Sequence, residues 1–286
     1  MRRAKHTSLA LAVVLLVLGI ATTVADGGPT GLFKANGHRL YLTCVGKGKP
    51  VVILDAGLGS DHSSWSSVVQ RAGALRTQVC SYDRYAVGLS DGVSWTPPTR
   101  TIDQSVSDLH ALVRAAKLKR PYVFVAHSIA GLVDREYARR YPKDVAGMVL
   151  LDTAPDDWNT YTGTETFAYA SESLNVTGAA SALQAHDFIG AKPLVVAEAG
   201  DDSTVASSWA SGKTDFQAYW NAAQRSLARI SHNSIFVVAT KSDHGIPQTA
   251  PGLTVETVRL VVNAVRTHKK LPRCAKTKLP KLGGKC

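Results

Sequence analysis

Ser128 lies where an apolar run meets a helical pattern, so its hydroxyl is placed to act as a nucleophile. Residues Tyr122–Ala126 are β-branched, aromatic or small, as in a buried strand, whereas Ile129, Val133 and Tyr137 recur every four residues, as on one helical face. A strand that turns directly into a helix exposes the residue at the turn, and the helix N-terminus directs unpaired N–H groups towards it. The pattern therefore predicts a nucleophile elbow.

This elbow departs from the usual G-x-S-x-G pattern, because Ala126 and Ala130 stand in place of the two glycines. A methyl group is the smallest possible addition to glycine, so we expect the strand and the helix still to meet at Ser128. The competing interpretation is an ordinary buried strand followed by a helix in which Ser128 is only the N-cap. The rest of the chain has to separate these two interpretations.

A serine hydroxyl needs a base to take its proton, and His244 is the histidine best placed to do so. His244 follows the last predicted strand, at the strand ends where Ser128 also lies. A carboxylate must then orient His244 and stabilise its cation. Asp152 and Asp202 both come between Ser128 and His244 in the chain and follow predicted strands, and the sequence does not separate them.

Two backbone N–H groups are expected to hold the negative oxygen of a tetrahedral intermediate. Ile129 supplies one directly after the serine, and Leu58 supplies the second from a glycine-containing loop that follows a buried strand. Gly57 in the same loop, together with His62 and His127, is expected to line the substrate pocket.

Strands alternate with helices along the chain, which predicts an α/β fold with a mostly parallel sheet covered by helices on both faces. In such sheets the site lies beyond the carboxyl ends of the strands. A single domain is expected over residues 26–270. Within it, the segment at about 155–190 is rich in Asp, Thr and Ser, has scattered aromatics and shows no strand signal, so we expect it to form an inserted cap over the site.

Residues 1–25 have the features of a secretory signal peptide, with basic residues, the apolar run Leu9–Ala21 and small residues before Asp26. The apolar run is shorter than the ~20 residues that span a bilayer, so we expect cleavage rather than a stable membrane anchor. Cleavage would lower the formal net charge from +11 to +8. Secretion or location in the cell envelope is therefore expected.

The tail, residues 271–286, is basic and contains no acidic residue. We expect it to be poorly ordered and able to contact an anionic envelope polymer. No segment interleaves aromatic and basic residues, so no nucleic-acid partner is expected.

The four cysteines form an even set in a chain with an export signal, which favours disulfides. We expect Cys44 to pair with Cys80, since each lies in a predicted strand, and Cys274 to pair with Cys286. The cysteines lack close spacing and flanking histidines, so no metal site is expected.

Five sequence blocks, in order, resemble the α/β-hydrolase family, especially its secreted or envelope members. The resemblance covers about residues 33 to 268. The blocks are Leu54–Ser60 with Trp65, Tyr82–Ser90, Val125–Gly131, Val149–Asp152 and Ser242–His244.

The resemblance implies a sheet of about eight strands, a Ser/acid/His triad and no cofactor. A serine at 128 argues against the branches that use Asp at this position. Many members carry the acid in a G-x-x-D turn, which aligns Asp202 with the acid and Ala199 with the glycine. Because that glycine is missing, Asp152 remains open as the alternative.

These observations predict a secreted serine hydrolase that cleaves a small-molecule acyl ester, in preference to an amide, through a Ser128 acyl-enzyme with His244 as general base. The polar cap suits a small or medium acyl group better than a long-chain lipid. One alternative is an acyltransferase or lyase on the same fold. The other is a catalytically silent ligand-binding protein, an interpretation that Ala126, Ala130 and Asp243 favour because each departs from the family pattern.

Overall fold

The computed structural model describes residues 27–178 and 189–286, which contain two β-sheets and the helices that cover the larger one. The predicted signal peptide lies outside these residues. The described strands are β1 (Thr30–Ala35), β2 (His38–Val45), β3 (Val51–Asp55), β4 (Val79–Tyr82), β5 (Arg100–Thr101), β6 (Tyr122–His127), β7 (Val145–Leu151), β8 (Thr166–Tyr169), β9 (Glu172–Asn175), β10 (Leu194–Asp201), β11 (Ser234–Asp243) and β12 (Gly284–Lys285).

Long helices alternate with these strands, and shorter helical turns lie in the loops. The α-helices that lie entirely within the described residues are α1 (Ser66–Val69), α2 (Ile102–Ala115), α3 (Ala130–Arg140), α4 (Trp158–Thr162), α5 (Ser203–Trp209), α6 (Phe216–Leu227), α7 (Ile246–Thr249) and α8 (Pro251–Thr267). The 3-10 turns are His62–Trp65, Ala72–Leu75, Ala228–Ile230, Cys274–Lys276 and Leu279–Leu282.

The larger sheet has nine strands within the described residues, in the order β1-β2-β4-β3-β6-β7-β10-β11-β12. The six central strands, from β4 to β11, run parallel, while β1, β2 and β12 pair antiparallel with their neighbours. The predicted mostly parallel sheet is confirmed. The ninth strand is β12, a two-residue strand from the tail that the sequence did not predict.

Alternate side chains of β6 enter two separate hydrophobic cores. Phe124 packs into the core that α2 and α3 cover, whereas Val123 and Val125 pack into the core that α8 covers. All three side chains are fully buried. This two-sided burial explains why β6 is apolar throughout, and it fixes Ser128 at the carboxyl end of a rigid central strand.

The predicted cap segment contains two strands, so the expectation that it has none is wrong. Strands β8 and β9 form an antiparallel hairpin, and β9 also pairs in parallel with the short strand β5. Phe167 and Leu174 lie opposite each other in the hairpin and are both buried. Each strand has only four residues and few apolar ones, too short for a clear alternation. Residues 179–188 of the predicted cap lie outside the described residues.

Both predicted disulfides are present. Cys44 and Cys80 lie directly opposite each other in the antiparallel pair of β2 and β4, and Cys274 is bonded to Cys286. The tail was expected to be poorly ordered, and this expectation is wrong. Leu279 is fully buried against the core under α8, and β12 pairs with β11.

Within residues 27–178 and 189–286, no helix combines the length and the apolar character that a membrane span requires.

Candidate active site

Ser128 occupies a strained turn between β6 and α3. Its φ is +59°, in the left-handed region that residues other than glycine seldom adopt. The turn is held by three backbone hydrogen bonds: Ser128 N–H donates to the Leu151 carbonyl at 3.2 Å, and the Ser128 carbonyl accepts from Gly131 and Ala154. Strain of this kind, fixed by the surrounding backbone, is typical of a nucleophile elbow.

The two alanines of the elbow are accommodated without loss of the turn. Ala126 and Ala130 are both fully buried. The tightest contact falls instead at Gly131, where an added Cβ would lie 2.4 Å from Cβ of Thr153. The close approach between the elbow and the chain after β7 therefore depends on the glycine that the sequence retains.

Ser128, His244 and Asp152 form a continuous chain of hydrogen bonds. His244 Nε2 lies 2.9 Å from Ser128 Oγ, and His244 Nδ1 lies 2.6 Å from Asp152 Oδ2. Each residue directly follows a strand of the central sheet: Ser128 follows β6, Asp152 follows β7 and His244 follows β11. Asp152 is fully buried, whereas the His244 side chain is 21% exposed. The arrangement can transfer a proton from the serine hydroxyl to the imidazole while the carboxylate stabilises the resulting cation.

Asp152 is held by two donors besides His244. The Trp220 indole N–H donates to Asp152 Oδ1 at 3.0 Å, and the Ala199 N–H donates to the same oxygen at 3.1 Å. Burial by itself would raise the pKa of Asp152, but the hydrogen bond and charge of His244, with the other hydrogen bonds, lower it below its ordinary value. Trp220 was not identified from the sequence, where it reads only as part of the apolar face of an amphipathic helix.

The alternative acid, Asp202, is also buried but forms no hydrogen bond with His244 in the described structure. Gln217 Nε2 lies 3.5 Å from Asp202 Oδ2. The neighbouring Asp201 is exposed and accepts the Ser203 N–H at 2.9 Å. The sequence did not distinguish the two acids. The structure does, because His244 faces Asp152 and not Asp202.

Possible metal-ligand atoms of Asp152, Asp202 and His244 all lie within 4.8 Å of one another. Both ring nitrogens of His244 are already engaged, one by Asp152 and one by Ser128. An imidazole needs a free nitrogen lone pair to bind a metal ion. The geometry of this group is therefore that of a proton-transfer chain rather than of a metal site.

The two predicted oxyanion donors lie beside the serine. Leu58 and Ile129 line the same cavity as Ser128, and within the described residues their N–H groups donate to no carbonyl. Gly57 lies against the elbow, because an added Cβ would be 3.3 Å from Cβ of Ser128 and 3.1 Å from Nδ1 of His127. Both N–H groups are available to a negative oxygen on a substrate bound to Ser128.

The loop that carries Leu58 is fixed by a buried ion pair that the sequence did not reveal. The Arg84 guanidinium donates to the carbonyls of Ala56 and Gly57 at 2.6 and 2.8 Å, and to Glu172 at 2.6 and 2.8 Å. Glu172 in turn accepts the Gly59 N–H at 2.7 Å. Arg84 belongs to one of the family-like blocks, but Glu172 lies in the short strand β9 and has no sequence signal.

Gly57, His62 and His127 were expected to line the cavity, but none of the three is among its lining residues. His127 Nε2 lies 2.7 Å from the His244 carbonyl, so His127 supports the loop that carries the base. Burial, together with the neighbouring His244, lowers the pKa of His127 to about 3, which leaves it neutral. His62 turns instead to the buried Asp83, whose Oδ1 lies 2.9 Å from His62 Nδ1.

The cavity over Ser128 is small and largely apolar. Its volume is about 40 Å³. Aromatic side chains of the cap segment, α5 and α6 form much of its wall, with ring centroids 5.2 to 6.0 Å apart in the pairs that connect them. These side chains are Trp158, Phe167, Trp209 and Trp220.

The chain is similar to known proteins in sequence and in fold. Residues 49–258 match the family model described as alpha/beta hydrolase fold. The chain is 26% identical over 210 residues to the uncharacterized protein YqjL of Bacillus subtilis (strain 168), covering 70% of this chain and 78% of that protein. It is also 26% identical over 214 residues to a putative carbamate hydrolase, RutD, of Agrobacterium fabrum, covering 70% and 77%.

Among solved structures, the chain is similar to Est1E from Butyrivibrio proteoclasticus, determined with ferulic acid bound. The TM-score is 0.59 at 17% sequence identity, covering 80% of this chain and 96% of that one. At this identity the similarity concerns the fold alone.

Proposed function

The chain belongs to the α/β-hydrolase family, and on this basis we propose that it is a serine hydrolase that cleaves small carboxylic esters. The observation that carries the proposal is the hydrogen-bond chain from Ser128 through His244 to Asp152, with distances of 2.9 and 2.6 Å. In this proposal Asp152, rather than Asp202, is the triad acid, because its carboxylate is the one that contacts Nδ1 of His244.

The proposed reaction proceeds through an acyl-enzyme. Ser128 Oγ attacks the ester carbonyl carbon as His244 Nε2 takes the hydroxyl proton, and the carbonyl oxygen becomes negative. The Leu58 and Ile129 N–H groups would hold that oxygen. The alcohol leaves with the proton from His244, and a water molecule activated by the same base then releases the acid.

The size of the cavity favours a substrate with a small acyl group. A volume of about 40 Å³, walled by four aromatic side chains, leaves room for a short apolar chain and excludes a long one without rearrangement. Carbamates share the carbonyl chemistry of esters, and three related proteins are named as putative carbamate hydrolases. A carbamate therefore belongs beside the esters in any substrate panel.

We further propose that the protein works outside the cytoplasm. Two disulfides in the described residues support this location, since disulfides persist mainly in oxidising compartments. The basic tail would then be available to an anionic polymer of the envelope.

Fluorophosphonate labelling of the folded protein tests the hydrolase proposal. An activated serine should label stoichiometrically in the wild type and in the control variant Ser207→Ala, which changes an exposed helical serine. Labelling should disappear in Ser128→Ala. Hydrolysis of p-nitrophenyl esters from acetate to palmitate, and of a matched carbamate, should then show the preference for short acyl groups.

Absence of labelling in the folded wild type would contradict the proposal and would favour a ligand-binding role for the cavity. Transfer of the acyl group to added alcohols in preference to water would instead identify an acyltransferase.

A further inference from the structure

A second carboxyl group lies directly behind the triad. Asp202 is 1% exposed and Asp152 is fully buried, and possible ligand atoms of both lie within 4.8 Å of each other and of His244. Two ionised carboxylates this close together in a buried site repel each other, so the pair favours a state in which one of the two acids carries a proton.

The hydrogen-bond partners identify which acid carries it. Asp152 accepts three N–H donors, from His244, Trp220 and Ala199, and this set favours its ionised form. The Asp202 carboxyl group has one weak donor, Gln217 Nε2 at 3.5 Å from Oδ2, and within the described residues no N–H or O–H group donates to its Oδ1. The proton therefore resides on Asp202.

The surroundings offer no cation that would keep Asp202 charged. Glu198 on β10 and Asp152 at the end of β7 are the charged groups that act on it, and both are acidic. Helix α5, which Asp202 precedes, has no titratable side chain, and α6 presents the neutral Gln217. Farther along α6, Arg225 acts on Glu198. His244 faces Asp152 rather than Asp202.

We propose that Asp202 is a neutral carboxylic acid that donates a hydrogen bond to Asp152 and positions that carboxylate for His244. The positioning role rests on the proposed hydrolase function, whereas the neutral state of Asp202 does not. Burial and the charge of Asp152 raise the pKa of Asp202 to about 9, in agreement with the hydrogen-bond geometry. Burial likewise raises the pKa of Glu198 to about 7.

The neutral state has a consequence for stability. An Asp in the unfolded chain ionises near pH ~4, whereas Asp202 in the folded protein keeps its proton up to about pH 9. Between these values the folded state binds one more proton than the unfolded state, so stability attributable to this group falls as pH rises. An asparagine has no such proton to retain.

Thermal unfolding of Asp202→Asn from about pH 5 to about pH 9 tests whether Asp202 keeps its proton in the folded protein. The Tm of the variant minus that of the wild type should increase steadily with pH. Asp201→Asn, at the exposed neighbouring acid, is the matched control and should show no such increase. A flat difference for Asp202→Asn would overturn the proposal, because it would mean that folded Asp202 is ionised like an ordinary Asp.

Kinetics test the positioning role. Loss of a hydrogen bond to a charged group should lower kcat about tenfold in Asp202→Ala. Asp202→Asn keeps an N–H donor and should restore most of this loss. It should also remove the decline in kcat that the wild type is expected to show as Asp202 ionises near pH 9. An Asn variant as impaired as the Ala variant would overturn the positioning role.

A cation is the competing explanation for two adjacent carboxyl groups. If millimolar Ca²⁺ or Zn²⁺ raised the Tm of the wild type but not of Asp202→Asn, a metal ion rather than a proton would neutralise the pair, and the proposal would be wrong. If the Tm difference rises with pH while the wild type neither labels nor hydrolyses esters, the neutral acid stands and only the hydrolase function falls.

Discussion

Arg84 and Glu172 form a buried ion pair that connects the loop carrying Leu58 to the β8–β9 hairpin. Their atoms approach to 2.6 Å, and both residues are at most 5% exposed. Arg84 binds the carbonyls of the loop while Glu172 binds a loop N–H, so the backbone around Leu58 is fixed from both sides. The β8–β9 hairpin and Leu58, whose N–H is the proposed oxyanion donor, are therefore positioned by the same two side chains.

Replacing Glu172 should therefore impair catalysis more than binding. In Glu172→Gln the negative charge is lost, and an amide oxygen that accepts from Gly59 leaves the amide NH2 facing the Arg84 Nε–H, so the ion pair is broken and the Leu58 N–H should lose its alignment with the oxyanion. We expect kcat to fall about 10- to 100-fold, somewhat less than for removal of an oxyanion donor, with a smaller change in KM. Steady-state kinetics measure both, and Glu165→Gln, at an exposed Glu of the same segment, is the control. A lower Tm with unchanged kcat would show that Glu172 only anchors the hairpin.

Enlarging the cavity should change the preferred acyl length. Trp209 is a wall residue that is only partly buried, so Trp209→Ala should open space beside Phe167 while the fold survives. We expect the ratio of kcat/KM for octanoyl to butyryl esters to rise about tenfold. Trp95→Ala is the matched control, because Trp95 is fully exposed in the described structure. An unchanged ratio in Trp209→Ala would mean that another surface receives the acyl chain.

The basic tail should bind a phosphate-bearing polymer. Lysines of the tail and of the end of α8 line a groove with a volume of about 460 Å³; they are Lys269, Lys270, Lys276, Lys278 and Lys281. Replacing the last three by Gln should weaken binding to long-chain polyphosphate, and the binding of the wild type should fall with added salt. The control replaces the exposed Lys34, Lys143 and Lys213, which makes the same change in net charge. Equal losses in both variants would show a response to net charge alone.

Much of the fold and two members of the site could be predicted from the sequence, because they depend on local patterns. The apolar strand β6, the amphipathic helices and the loops after the strands all have signals within about ten residues. Ser128 and His244 follow from those signals together with the rule that sites lie at the carboxyl ends of parallel strands. The disulfide between Cys44 and Cys80 could be predicted because each cysteine lies in a clear strand.

The choice between Asp152 and Asp202 could not be predicted, because both follow strands and reach the same region. A tertiary contact distinguishes them. Trp220 comes from α6, 68 residues after Asp152, and donates its indole N–H to the Asp152 carboxylate. His62 was misassigned for the same reason, since the buried Asp83 that holds it is 21 residues away. Contacts between distant segments leave no periodic signal in the sequence.

Strand β12 covers one border of the large sheet. An uncovered strand presents a row of free N–H and C=O groups to which another polypeptide can add, and this is a common route to aggregation. Here Gly284 and Lys285 pair with Ala239 and Val238 of β11. The disulfide between Cys274 and the adjacent Cys286 holds this short strand in place. Strand β12, held by the disulfide, thus protects this edge against pairing with another copy of the chain. Reduction of the disulfide would weaken this protection.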